Sequence, residues 1–344
     1  MGTQYFASAN SYGGFYSLFG NVFDSRDFDR IFVLKGGPGT GKSTLIKKVA
    51  DFAKNNKGSA RLYYCSSDIN SLDGAVINIG KNRFAIVDGT APHERDAVIV
   101  GAIDEIINLG EGIDSEWIKT YRDDIISLSN QKTKAYKAAY SYLKVAGECF
   151  DTIYKKKCIN LDFGSALKYI HELPINIDHS PIKLQKHFLS SFSKNGYRSF
   201  PFPKEKYKKT IKIGGDLTNA KILIKFISDN LSAVKEEFFP SPLRPDLPEA
   251  VVLDKCLITS IGDDLSAVCS DEFFADSKTD KEELKTISKI HDELLGEAIR
   301  WLTIASDIHF RLEDIYVKCV NFDQNEMIFD KISKKILKVC ECNN

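Results

Sequence analysis

A chain of 344 residues is long enough for two or three ordinary domains. Hydrophobic residues make up 43% and charged residues 27%, which excludes wholesale disorder. Lys+Arg and Asp+Glu each number 47, and that neutrality argues against a bulk nucleic-acid binder, with Lys155-Lys156-Lys157 and Lys334-Lys335 as the local exceptions. No run of about 18 apolar residues is present, so no membrane span is expected. The opening MGTQYFASANSYGG has no basic-then-apolar export pattern, and the eight cysteines contain no CxxC pair. Both point to a cytoplasmic protein with reduced thiols. Cys340-Glu-Cys342 supplies two thiolates on a terminal stretch, a poor metal site by itself.

Taken in chain order, Arg30–Lys35 (RIFVLK) is a short apolar run stopped by glycines, the pattern of a buried strand. Ser43–Asn55 is helical, with Leu45, Ile46, Val49 and Phe52 on one face. Arg61–Ser66 and Arg83–Val87 read as strands, and Val98–Leu109 as a helix. Trp117–Lys157 is a long helical pattern with a possible break at Ser127–Asn130, and Lys281–Val320 repeats it. Strands alternating with helices predict an open parallel α/β sheet, with the long helix of each copy lying outside that sheet or against its twin.

The chain compares with itself. GGPGTGKSTLIKKVAD from Gly36 and GGDLTNAKILIKFISD from Gly214 agree at 7 of 16 positions. FASANSYGGFYSL from Phe6 pairs with FLSSFSKNGYRSF from Phe188, and KCINLD from Lys157 with KCVNFD from Lys318, in the same order. The expected fold class is therefore α/β, a tandem duplication of a lobe with a parallel sheet, each copy carrying a long added helical segment. The lobes are placed at residues 1–178 and 179–344, with the boundary in the proline-bearing stretch 173–182.

The chemistry sits after the first strand. Gly36-Gly37-Pro38-Gly39-Thr40-Gly41-Lys42-Ser43-Thr44 satisfies GxxxxGK[ST] in full, between a strand and a helix. Glycines let backbone N–H groups approach a phosphate chain, and the following helix adds its positive end. Lys42 would reach the β and γ oxygens, and the Ser43 hydroxyl would join a Mg²⁺ shell. Asp88, closing the strand RFAIVD, is the expected second group for Mg²⁺, with Asp73 as its rival. In Thr90–Asp96, Glu94 or His93 could orient an attacking water and Arg95 could contact a γ-phosphate. Asp68 and Asn70 leave the same sheet edge and could touch substrate.

In the second copy Leu217, Asn219, Ala220 and Lys221 stand at the positions of Gly39, Gly41, Lys42 and Ser43, and Asp216 would repel phosphate. The strand RFAIVDG is replaced there by LITSIGDD, Leu257–Asp264. The second lobe is expected not to bind nucleotide. Arg244, between Pro242 and Pro245, is a candidate arginine finger in cis.

GGPGTGKSTLIKK, CSSDINSLDG at Cys65–Gly74 and IVDGTAPH at Ile86–His93 resemble a family of bacterial ATP-binding proteins built from two P-loop NTPase halves. The resemblance implies an ATPase and supplies no substrate or pathway. It implies a phosphate loop in each half, from which this chain departs at Leu217, Asn219, Ala220 and Lys221. The expected function is a Mg-dependent ATPase with ATP and Mg²⁺ as ligands. The alternatives are a small-molecule or nucleoside kinase, or a nucleotide-gated module whose long helices engage a protein partner.

Overall fold

The computed structural model describes residues 3–91, 95–177, 183–202, 206–262, 267–275 and 281–342. The first half runs β1 (Gln4–Phe6), β2 (Ser8–Ser11), β3 (Gly14–Ser17), α1 (Phe19–Val22), β4 (Arg30–Lys35), α2 (Lys42–Asn55), β5 (Ser59–Tyr64), β6 (Leu72–Ile79), β7 (Asn82–Asp88), β8 (Asp104–Asn108), α3 (Ser115–Lys119), α4 (Arg122–Cys158) and α5 (Phe163–Glu172). The second runs β9 (Gln185–Lys186), β10 (Ser190–Ser193), β11 (Gly196–Ser199), β12 (Lys209–Gly214), α6 (Leu217–Asn230), β13 (Lys235–Pro240), β14 (Pro248–Leu253), β15 (Cys256–Thr259), β16 (Ala267–Cys269), α7 (Lys281–Val317) and α8 (Asp323–Cys342).

Among the described residues the strands form two six-stranded sheets and two hairpins. The first sheet has the order β1-β5-β6-β7-β4-β8, the second β9-β13-β14-β15-β12-β16. Both follow the same scheme: parallel, antiparallel, antiparallel, parallel, parallel. The sheets are α/β but mixed, which corrects the expected parallel sheet. The cause is β6, an apolar run that doubles back between β5 and β7 through a turn at Gly80, whose φ is +57°. The Val98–Leu109 expectation is corrected as well. Asp104 is fully buried and accepts hydrogen bonds from Val98 N (2.8 Å) and Ile99 N (2.6 Å), which pulls this stretch into a turn. The chain then enters the edge strand β8, parallel to β4. The strand expected at Arg61–Ser66 begins two residues earlier, at Ser59.

Alternation along the strands separates three cores. Ile31 and Val33 of β4 face a central core that also holds Phe188, Phe239, Val252 and Leu257 of the second half. Phe32 and Leu34 face the opposite way, onto α2 and onto Ile332 and Ile336 of α8. The second sheet's outer face is covered by α6 and by Ala166 and Ile170 of α5. The halves therefore exchange helices: α5 roofs the second sheet and α8 roofs the first. The expected 178/179 boundary lies outside the described residues, and the outer cores do not respect it.

Two features relate the halves. Phe6 and Phe188 exchange backbone hydrogen bonds, N to O, at 2.9 and 3.0 Å as an antiparallel bridge. These are the paired first residues of the repeated segment, so like meets like, as across a two-fold axis. Helices α4 and α7 each have 37 residues, about 55 Å at 1.5 Å per residue. They lie antiparallel: Lys156 pairs with Glu283 near one end, and Asp114 N donates to Cys319 O near the other. Ala135, Ala139 and Leu143 of α4 and Ala298, Leu302 and Ala305 of α7 are buried in the clusters along this pair. Helix α4 runs unbroken through Ser127–Asn130; the interruption falls at Thr120–Tyr121 instead.

Candidate functional site

The loop that leaves β4 turns sharply because Gly39 and Gly41 take φ of +67° and +86°, conformations that cost side-chain-bearing residues heavily. Gly41 caps α2, which starts at Lys42. Thr40, almost fully buried, ties the loop across itself by donating from Oγ1 to Gly37 O at 2.9 Å. Lys42 Nζ donates to the carbonyls of Gly36 and Gly37, each at 2.8 Å, and stands 3.7 Å from Asp88 Oδ2. Asp88 ends β7, directly beside β4 in parallel register, where Leu34 is its partner. Its Oδ1 accepts from Thr90 N at 2.8 Å and from the Thr90 hydroxyl.

Asp73 belongs to the same edge. It sits near the start of β6, one residue before Gly74, whose partner on β7 is Val87, the neighbour of Asp88. The Ser43 hydroxyl oxygen accepts from Leu72 N at 2.9 Å, which pins the start of α2 to this acidic corner. Asp73 and Asp88 thus stand at one sheet edge, through a strand that sequence reading missed. Two carboxylates and a hydroxyl are hard oxygen donors of the kind Mg²⁺ takes, one or two from the protein and the rest from phosphates and water. Among the described residues no group of three or more His, Cys, Asp or Glu could hold a metal unaided.

The second half covers the loop. A methyl built on Gly37 would lie 2.9 Å from Tyr316 Cε1, one on Gly39 2.9 Å from Val317 Cγ2, and one on Gly41 2.6 Å from Asn325 Nδ2. Asn325 donates to Thr40 O at 3.0 Å, and Lys48 forms an ion pair with Glu326. The glycines therefore permit close approach of the α7–α8 corner as well as the turn itself. Lys132, on α4, is a further residue that no motif marks. Burial lowers its pKa, Glu313 of α7 opposes that, and Lys42 adds to it, so this ammonium belongs to the charge field of the loop.

Other expectations are corrected. The Arg95 guanidinium does not turn to the phosphate loop. It is buried, donating to Asp104 Oδ1 (3.0 Å), Ser25 Oγ (2.8 Å) and Phe23 O (3.1 Å). Arg244 is no finger: it is bidentate to Asp246 at 3.0 and 2.9 Å, paired with Asp151, and lies 4.8 Å from the Tyr12 ring centre. Asp68 pairs with Lys194 of the second half at 3.0 Å and accepts from Asn70 N, while Asn70 is exposed. Lys156, Lys157 and Lys335 are engaged with Glu283, Asp216 and Glu105. Glu94 and His93 lie outside the described residues.

At the equivalent place in the second half the helix end is closed by its own acids. Asp216 caps α6, accepting from Thr218 N (3.0 Å) and Asn219 N (3.1 Å), and Asp271 accepts from Asp216 N and from Asn219 Nδ2 (2.8 Å). Carboxylates stand where a phosphate would need those donors. The strand beside β12 ends in Thr259, paired with Lys212, where Asp88 pairs with Leu34 in the first half. Asp263 and Asp264 of LITSIGDD lie outside the described residues.

No family model, curated protein or solved structure matches the chain. Among the described residues no helix is long and apolar enough to cross a membrane.

Proposed function

We propose that the chain is a P-loop NTPase, formed by tandem duplication, that binds and hydrolyses Mg·ATP at one site in its first half. The observation that carries this reading is the meeting of a glycine-bent loop, Lys42, Ser43 and Asp88 at one sheet edge, with Lys42 Nζ 3.7 Å from Asp88. Backbone N–H groups at a helix start favour a phosphate chain. Lys42 would exchange its two carbonyl partners for β and γ oxygens. Ser43 and Asp88, with Asp73 behind them, would hold Mg²⁺, which when bound neutralises charge on the β- and γ-phosphoryl oxygens. The α7–α8 corner would exclude water from the outer side of the loop.

A kinase reading draws on a separate groove of about 970 Å³, lined by Phe15, Phe19, Arg26, Asp96 and Val98, large enough for an acceptor. Asp96 bonds Lys35, the residue just before the loop, at 2.6 Å. Phosphate release measured against transfer to added nucleosides and sugars separates the two readings.

Calorimetry with Mg·ATP tests the main proposal. One nucleotide per chain is the expected stoichiometry; two, or none, refutes it. In Asp88→Asn, turnover should fall far more than affinity.

A further inference from the structure

The outer side of the phosphate loop borders a cavity of about 250 Å³. One wall is the first turns of α2, with Gly41, Thr44 and Lys48; the other comes from the second half, with Phe322, Asn325 and Glu326. We infer that this cavity is the base subsite, and that the second half, rather than the half bearing the loop, supplies the surface on which the base stacks. The inference rests on the nucleotide reading above.

Direction is the first argument. Lys42 and Asp88 mark the γ end of a bound triphosphate, so the α-phosphate, ribose and base must leave along the start of α2. That path leads past Gly41 and Thr44 into the cavity. Size is the second. The space lies just below the usual small-molecule range of about 300–1,000 Å³, suited to a base and not to a macromolecule.

Chemistry is the third. Phe322 is 42% exposed although it is a large apolar ring, and it borders the cavity. An aromatic face of this kind stacks any base. Asn325 adds a polar edge. One hydrogen of its Nδ2 goes to Thr40 O, which leaves the second N–H and the amide oxygen to pair with the edge of a base.

The test compares Mg·ATP, Mg·GTP and Mg·tripolyphosphate by calorimetry on the full chain and on Phe322→Ala. Tripolyphosphate carries the charge without the base. The wild-type chain should bind both ATP and GTP more tightly than tripolyphosphate. Phe322→Ala should weaken ATP by about 5- to 150-fold and leave tripolyphosphate unchanged. Phe322→Trp should restore ATP binding, a rescue that guards against a merely unfolded alanine variant. An unchanged ATP affinity in Phe322→Ala overturns the base subsite while leaving the phosphate loop intact. Failure of the wild-type chain to bind even tripolyphosphate overturns the nucleotide reading beneath it.

Discussion

Replacing Lys42 by alanine removes an ammonium that the fold already holds. In the free protein Nζ has two neutral carbonyl partners at 2.8 Å and Asp88 at 3.7 Å, so binding gains only the difference on transfer to phosphate. A hydrogen bond to a charged group contributes about 1.5–3 kcal/mol and one to a neutral carbonyl about 1 kcal/mol. Two such exchanges come to roughly 1–4 kcal/mol, a loss of roughly 5- to 1,000-fold in affinity for Mg·ATP. This is smaller than the full value of a lysine–phosphate contact, because the carbonyls of Gly36 and Gly37 compete for the same protons. Calorimetry at fixed ionic strength measures it, with far-ultraviolet circular dichroism to show that the variant is folded. A Lys42→Ala affinity within twofold of wild type would refute the assignment of this lysine to the phosphates.

Three other perturbations concern packing and charge. Asp104→Ala leaves the buried Arg95 without its acid and should cost about 3–5 kcal/mol in denaturant unfolding. Burial alone would raise the Asp104 carboxyl, but hydrogen bonds from Ile99, Ser25 and Val98 and the charge of Arg95 hold it below the usual carboxylate range. The folded state thus binds that proton less readily than the unfolded state, and the stabilisation should fade as pH falls below about 4; a flat acid limb would contradict it. His187 is buried and held well below its ordinary range, first by desolvation and then by Arg61, Lys206 and Arg83. Unfolded chains take up that proton near pH 6.5, so stability should drop as pH falls below about 6.5, and His187→Gln should flatten the slope seen by urea titration. Gly147→Ala on α4 would bring a methyl to 2.5 Å from Tyr12 Cβ. Overpacking of about 1–3 kcal/mol should outweigh the helix preference of about 1 kcal/mol for alanine, giving a lower Tm rather than a higher one.

The turn at Gly36–Gly41, β4 and β7 were legible because their signals are local: an apolar run, glycines in a fixed spacing, an acid at a strand end. Strand β6 was not, since LDGAVINI carries an Asp-Gly pair near its start that reads as a turn, and only the pairing with β7 brings Asp73 to the edge where Asp88 stands. VIVGAIDEIINL has apolar spacings that suit a helix or a strand, and the burial of Asp104 decides between them. Arg95 and Arg244 looked available because charge and a nearby proline are visible in sequence while their partners, the buried Asp104 and the half-buried Asp151, are not. Tyr316, Phe322 and Asn325 reach the loop from nearly the far end of the chain, and nothing local marks them.

The antiparallel bridge between Phe6 and Phe188 joins two halves of like strand order at matching points. Tyr316, Val317 and Asn325 of the second half close over Gly37, Gly39 and Gly41 of the first. A substitution at the α7–α8 corner therefore reshapes the surroundings of the glycine loop while every residue of the half that bears it stays the same.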